Sequence, residues 1–239
     1  MIFFEKVLNL IYPPVCVGCG ELLDFDVLST LCKRCDELYR NEKNMPCPIC
    51  HKPHFACCCV AYKGRTRERR AFHVCEYTKN ESIARSLVIY SKRNKYKRMF
   101  EMIADDIVRV IHYHIDSLDN TVITYAPRDR GRKAESGVDQ AEYTARLISK
   151  KLNIPFVRAI KRVAATEQKH LKRSEREVSA GRSYRINEKA RADVAGKIVI
   201  IYDDLVTTGA TVKACASLLT KMGAADVVIV SFARTYTDN

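Results

Sequence analysis

Apolar residues along this chain fall into two kinds of run: short continuous ones that suit buried strands, and spaced ones that suit amphipathic helices. Ile198-Val199-Ile200-Ile201 is β-branched and continuous, as expected of a parallel strand covered on both faces, and the segment Asp226 to Phe232, with Val227 to Val230 at its centre, reads as another strand. Thr121 to Ala126 reads as another buried strand, Phe72 to Tyr77 as an edge strand and Ile154 to Val157 as a short one. Between them, Glu81 to Ile115 reads as one or two helices. Asp139 to Leu152 has helical spacing at Ala141, Ala145, Ile148 and Leu152, and a last helix runs through Lys213 to Lys221. Strands alternating with helices predict an α/β fold, a mostly parallel sheet flanked by helices with its site at the strands' carboxyl ends. The opening Met1 to Tyr12 is apolar but interrupted by Glu5, Lys6 and Asn9. It reads as an amphipathic helix packed on the domain behind it, membrane attachment being the alternative, and no stretch is long enough to span a bilayer.

Cysteine changes this picture in the first part of the chain. Ten of the eleven cysteines precede Phe100, mostly in short-spaced groups, which is metal-ligand usage and implies a reducing, cytoplasmic compartment. Cys16-Val17-Gly18-Cys19 and Cys32-Lys33-Arg34-Cys35 are paired knuckles whose four thiolates can close a tetrahedral structural zinc site. Cys47-Pro48-Ile49-Cys50 is a third knuckle, facing the consecutive Cys57-Cys58-Cys59. Side chains alternate along an extended segment, so Cys57 and Cys59 can face one metal while Cys58 points away. The alternatives are His51 or His54 in place of a cysteine, or no second metal. Cys75 and Cys215 stand alone and read as small buried hydrophobes. Composition shifts to a basic linker near residues 60 to 71, so residues 1–62 are expected to form a zinc-ribbon domain and 63–239 the α/β domain.

The chain of 239 residues carries a formal charge of +13, and two four-thiolate zinc sites would leave roughly +9. Basic clusters lie at Lys63 to Arg70, Lys92 to Arg98 beside Tyr90 and Tyr96, Arg128 to Lys133, and Lys169 to Arg176. They suit phosphate-rich partners, a small phosphate ester for some and single-stranded nucleic acid for others, although any one of them can be a solvated face.

The chemistry concentrates after the strand at 198–201. Tyr202, Asp203 and Asp204 lead through Leu205 and Val206 into Thr207-Thr208-Gly209-Ala210-Thr211, where the next helix opens. A phosphate on that helix start meets backbone N–H groups, the positive end of the dipole and three hydroxyls. Asp203 and Asp204 can accept hydrogen bonds from neighbouring ribose hydroxyls. The plainer alternative is a strand–turn–helix corner with Asp204 as a solvated cap.

This run resembles the phosphoribosyl pyrophosphate (PRPP) motif of type I phosphoribosyltransferases: four apolar residues, two acids, a spacer, then Thr-Thr-Gly-Ala/Ser-Thr. Over nearly its whole length the chain resembles the ComF family of bacterial competence proteins. Pro14-Val15-Cys16-Val17-Gly18-Cys19-Gly20, Gln168-Lys169-His170-Leu171 with Arg176, and Val228 to Arg234 carry that likeness. One departure concerns the loop where the family has Arg-Gly-Phe-Asn-Gln and this chain has Ser136-Gly137-Val138-Asp139-Gln140. Arg128, Arg130, Arg132 and Lys133 can still gather around a pyrophosphate. If the missing Arg stabilises departing negative charge, its loss lowers turnover and spares binding.

The resemblance implies a structural zinc domain, a PRPP or ribose-phosphate ligand carried with magnesium, and single-stranded DNA handled with the DNA-uptake machinery during natural transformation. The alternative is an active phosphoribosyltransferase passing the phosphoribosyl group to a nitrogenous acceptor. No acceptor pocket, general base or catalytic residue is identifiable in the sequence.

Overall fold

The computed structural model describes residues 13–23, 29–59, 70–78, 80–93, 96–127, 139–163 and 183–235. Its centre is a four-stranded sheet in the order β1-β6-β5-β2, formed by β1 (Ala71–Glu76), β2 (Thr121–Tyr125), β5 (Ile198–Val206) and β6 (Asp226–Arg234). Every pairing in it is parallel, with Ile200 opposite both Ile123 and Val228. The two long apolar runs thus form the middle of the sheet, as continuous hydrophobicity requires. A small antiparallel pair, β3 (Ile160–Arg162) and β4 (Tyr184–Ile186), stands apart.

Helices cover both faces. On one lie α1 (Lys33–Asn44), α2 (Ile83–Arg93), α3 (Lys97–His114) and α4 (Gln140–Leu152), on the other α6 (Ala210–Lys221) with the β3–β4 pair and the short α5 (Arg191–Val194). In α3, Met99, Phe100, Ile103, Ala104, Ile107 and Ile111 form the buried stripe expected of a helix lying on a sheet. The α4 helix starts at Asp139, whose carboxylate accepts from the Glu142 N–H, and stops at Asn153 in the left-handed conformation.

The segment expected as a strand at Ile154 to Val157 makes only one bridge, Phe156 to Ile123. Pro155 has no N–H to continue the ladder; its carbonyl accepts from Ile123, and Val157 then donates to Ile123. The strand pair nearby is instead β3 with β4.

The cysteine-rich segment does not float free of the sheet. Cys16, Val17, Leu31, Cys35 and Tyr39 belong to the same buried cluster as Val74, Leu87, Ile103 and Phe232. Tyr39 donates to the buried Asp106 carboxylate at 2.6 Å, and Glu42 accepts from the Ile83 and Ala84 N–H groups at 2.7 and 2.9 Å. The amino-terminal helix read at Met1 to Tyr12, and residues 60–69 of the linker read near 60 to 71, lie outside the described residues.

Candidate functional site

At the carboxyl end of β5, Asp203 lies opposite Ser231 of β6, and both Asp203 and Asp204 are 8% exposed. Alternation along the strand sends the two carboxylates to opposite faces. Asp203 shares the α6 side, where burial first and then its charge push the Cys215 thiol up. Its Oδ1 also accepts from the Asp204 N–H at 3.0 Å, which fixes the carboxylate at the strand end.

The chain then turns through exposed Thr207 and Thr208 to Gly209, at φ 73° and ψ 1°, and enters α6 at Ala210. A positive φ favours glycine, and it lets the chain turn directly from the strand end into the helix, whose first N–H groups have no partner within the helix. The Thr208 hydroxyl accepts from Ala210 N–H at 3.4 Å, while Lys213 N–H already bonds the Gly209 carbonyl. The predicted residues Asp203, Asp204, Thr207, Thr208, Gly209, Ala210 and Thr211 therefore occupy one strand end and one helix start. Arg128, Arg130, Arg132 and Lys133, together with the Gln168 to Arg176 segment, lie outside the described residues.

Two further side chains join this corner that the sequence reading left out. The Tyr184 hydroxyl of β4 accepts from Arg162 Nη1 of β3 at 3.2 Å and meets the Thr211 hydroxyl, and the Arg162 guanidinium sits 5.5 Å from the Tyr184 ring centre. Burial raises the Tyr184 pKa and the Thr211 bond opposes that shift, so the phenol stays protonated at neutral pH. Their only signal in the sequence is the pair of short segments Ile160 to Arg162 and Tyr184 to Ile186, too short to show periodicity.

Near the end of β2, Glu142 gathers the Tyr125 hydroxyl (2.9 Å), Arg146 Nε (3.0 Å) and Arg158 Nε (3.0 Å). Burial alone would raise the Glu142 pKa. Hydrogen bonds from Arg158, Tyr125 and Arg146 outweigh it and hold the carboxyl below its usual range.

The cysteines form two groups of four, Cys16, Cys19, Cys32, Cys35 and Cys47, Cys50, Cys57, Cys59, each with its sulfurs within 4.8 Å of one another. Exposed Cys58 belongs to neither, in line with the alternation argument. A tetrahedral shell with metal–sulfur bonds of about 2.3 Å has sulfurs about 3.8 Å apart. Cys19 and Cys32 Sγ are 3.8 Å apart, so the residues fit such a metal ion. Backbone N–H groups of Cys32, Ile49 and Cys59 point at the sulfurs of Cys16, Cys47 and Cys57, at 3.2, 3.4 and 3.3 Å. His51 and His54 are not in the second group. His54 is buried beside His73, with ring nitrogens 3.4 Å apart, and burial first and then Arg234 lower its pKa to about 4. Arg234, opposite Val206 at the sheet's carboxyl end, also donates to the Cys59 carbonyl, tying the second cysteine group to the strand beside β5.

Among the described residues no helix is long and apolar enough to cross a membrane. Residues 135–238 match the phosphoribosyl transferase domain model. The chain is 26% identical over 219 residues to the DNA utilization protein YhgH of Escherichia coli O157:H7, covering 86% of this chain and 90% of that one. Among solved structures, it is similar to the phosphoribosylpyrophosphate synthetase of Mycobacterium smegmatis (20% identity, TM-score 0.35, 59% of this chain and 34% of that one). It is similar also to an allosteric regulatory enzyme of purine biosynthesis (16% identity, TM-score 0.38, 61% and 26%) and to the B. subtilis glutamine PRPP amidotransferase (15% identity, TM-score 0.37, 63% and 28%). The chain thus spans about a quarter to a third of each of these solved chains. With the phosphoribosyl transferase domain match, a relative alignable over most of both chains, and cysteine clusters ahead of a parallel sheet, the chain carries a phosphoribosyltransferase-like domain and resembles the ComF family over most of its length.

Proposed function

We propose that the chain binds PRPP or another ribose 5′-phosphate at the carboxyl end of β5 and handles single-stranded DNA during natural transformation, in the cytoplasm and beside the DNA-uptake machinery. The observation that carries the ligand assignment is the junction itself: two carboxylates at a buried strand end, followed within a few residues by a positive-φ glycine that opens a helix. Asp203 and Asp204 accept from the ribose hydroxyls, and Thr207, Thr208, Gly209, Ala210 and Thr211 surround the 5′-phosphate. Arg128, Arg130, Arg132 and Lys133 supply charge for a pyrophosphate, whose own oxygens would carry magnesium. Zinc in the two cysteine groups is structural, since four protein sulfurs leave no open coordination position. The DNA component draws on the name of the relative, the ComF resemblance and the charge of +13.

Calorimetric titration with Mg²⁺-PRPP, followed by an assay for released pyrophosphate, tests the assignment. Binding without continuing pyrophosphate release is expected. Continuing release in the presence of a nitrogenous base would establish the active transferase instead, and no heat of binding would remove the ligand assignment. Binding of single-stranded oligonucleotide should fall steeply with salt, because each phosphate contact releases counterions.

A further inference from the structure

Away from the cradle, a cavity of about 660 Å³ opens between α1 and α3, with Val74 of β1 at its floor and Phe55 at one end. On α3 the lining residues Met102, Asp106, Arg109, Val110 and Tyr113 follow one face at helical spacing, with Asp106 and Val110 buried at its base and Arg109 and Tyr113 exposed. On α1 they are Asp36, Tyr39, Arg40, Lys43 and Asn44, again one face. Two amphipathic helices therefore turn polar-aromatic sides toward each other without closing the space between them. Its volume is in the range of small-ligand sites.

The chemistry inside is that of a nucleotide platform. Tyr113 is 59% exposed although it is a large aromatic, and Phe55 meets it edge-on at 5.5 Å and 85°. One helical turn away, Arg109 is mostly exposed and anchored to Asp106 at 3.1 Å. Lys43 lies 2.9 Å from the same carboxylate and 4.4 Å from the Tyr39 ring centre. Across the groove, exposed Arg40 is held by Asp36 at 2.5 Å. Three cations thus face two carboxylates, and the acids hold the cations in place while leaving a positive excess. A positioned aromatic face flanked by positioned cations is how a strand is held without regard to its sequence: the base stacks, the phosphate pairs.

We propose that this groove between α1 and α3 is a second binding site, which takes one nucleotide unit of a single-stranded nucleic acid by stacking its base on Tyr113 and pairing its phosphate with Arg109 and Arg40. The assignment rests on the single-strand reading given above but is independent of the PRPP site at the start of α6, a helix that packs on the opposite face of the sheet from α1 and α3. It differs from a general basic surface in requiring an aromatic face.

Fluorescence anisotropy of the full chain with a 5′-labelled oligo-dT of about twenty nucleotides tests it. Tyr113→Ala should weaken binding about tenfold, whereas Tyr113→Phe should stay within about twofold, because stacking needs the ring and not the hydroxyl. Arg40→Ala with Arg109→Ala should lower the salt slope by about 1.4, at roughly 0.7 per phosphate contact on a single strand. All variants should retain the parent's heat of binding for Mg²⁺-PRPP and its melting temperature within a few degrees. Equal affinity of Tyr113→Ala and the parent would overturn the groove while leaving the strand reading intact. Failure of the parent to bind oligo-dT at about 50 mM salt would overturn both.

Discussion

Removing the Glu42 carboxylate should destabilise the whole chain, although Glu42 lies in the cysteine-rich part and the helix it holds lies in the other. Its two oxygens accept from Ile83 and Ala84 at 2.7 and 2.9 Å, and Ser82 Oγ accepts from Arg85 at 3.1 Å. Three of the four unpaired N–H groups at the start of α2 are met by these side chains, two of them by a charge. Ile83 and Ala84 are 7% and 0% exposed, so water has little room to replace the carboxylate. A single cap contributes about 0.5–2 kcal/mol, and a favourable charge at a helix start adds about 0.3–1 kcal/mol. Glu42→Ala should therefore cost about 2–3 kcal/mol, or roughly 5–10 °C in melting temperature for a chain of this size. Glu42→Gln keeps one acceptor and should lose about half as much. Thermal and urea unfolding, followed by circular dichroism on metal-loaded protein, give the values. Loss of less than about 0.5 kcal/mol in Glu42→Ala, or Gln no better than Ala, would refute the reasoning.

Gly18→Ala should lower the melting temperature and the metal content together, since an added Cβ would stand 2.8 Å from Cys35 Sγ and 2.9 Å from Ile83 Cδ1; unchanged values would show that the first knuckle is looser than its packing implies. Elemental analysis should find about two zinc ions per chain, unchanged in Cys58→Ser and reduced in Cys57→Ser or Cys59→Ser; equal losses from all three would contradict the assignment of alternating sulfurs. Glu142 has a carboxyl pKa held down in the folded state, so its contribution is present above the unfolded value near 4.3 and is lost as pH falls through the folded one. Glu142→Gln should accordingly cost about 1 kcal/mol at pH 7 and progressively less below about pH 4, as read from urea unfolding at several pH values; a difference constant across that range would rule out the ionic origin.

The sheet was legible because its middle strands are apolar on both sides. Ile198 to Ile201 and Val227 to Val230 have no polar position that would suit an open face, and their parallel pairing follows from the intervening helix. The corner between β5 and α6 was legible for a related reason: its residues are contiguous, so spacing alone brings Asp203 and Thr211 together. Arg162 and Tyr184 were not, because they meet only when two three-residue strands pair across a separation of more than twenty residues. The short strand at Ile154 to Val157 was misread through Pro155, whose missing N–H limits the ladder to one bridge. Helix α1 escaped notice because Cys32 and Cys35 draw attention to metal ligation. Yet Cys35 and Tyr39, one turn apart, are its two buried residues and seat the cysteine-rich segment on the sheet.

The central claim is that β5 ends in a ribose-phosphate site, and calorimetry of Mg²⁺-PRPP with the double variant Asp203→Ala, Asp204→Ala tests it most directly. Each lost carboxylate should cost about 1.5–3 kcal/mol, so the double variant should bind at least a hundredfold more weakly while keeping its fold and its affinity for oligo-dT. Gly209→Val, which places a β-branched residue at φ 73°, should abolish binding of the 5′-phosphate altogether. Parental PRPP affinity in the double variant would contradict the claim and leave the motif at the end of β5 without a ligand.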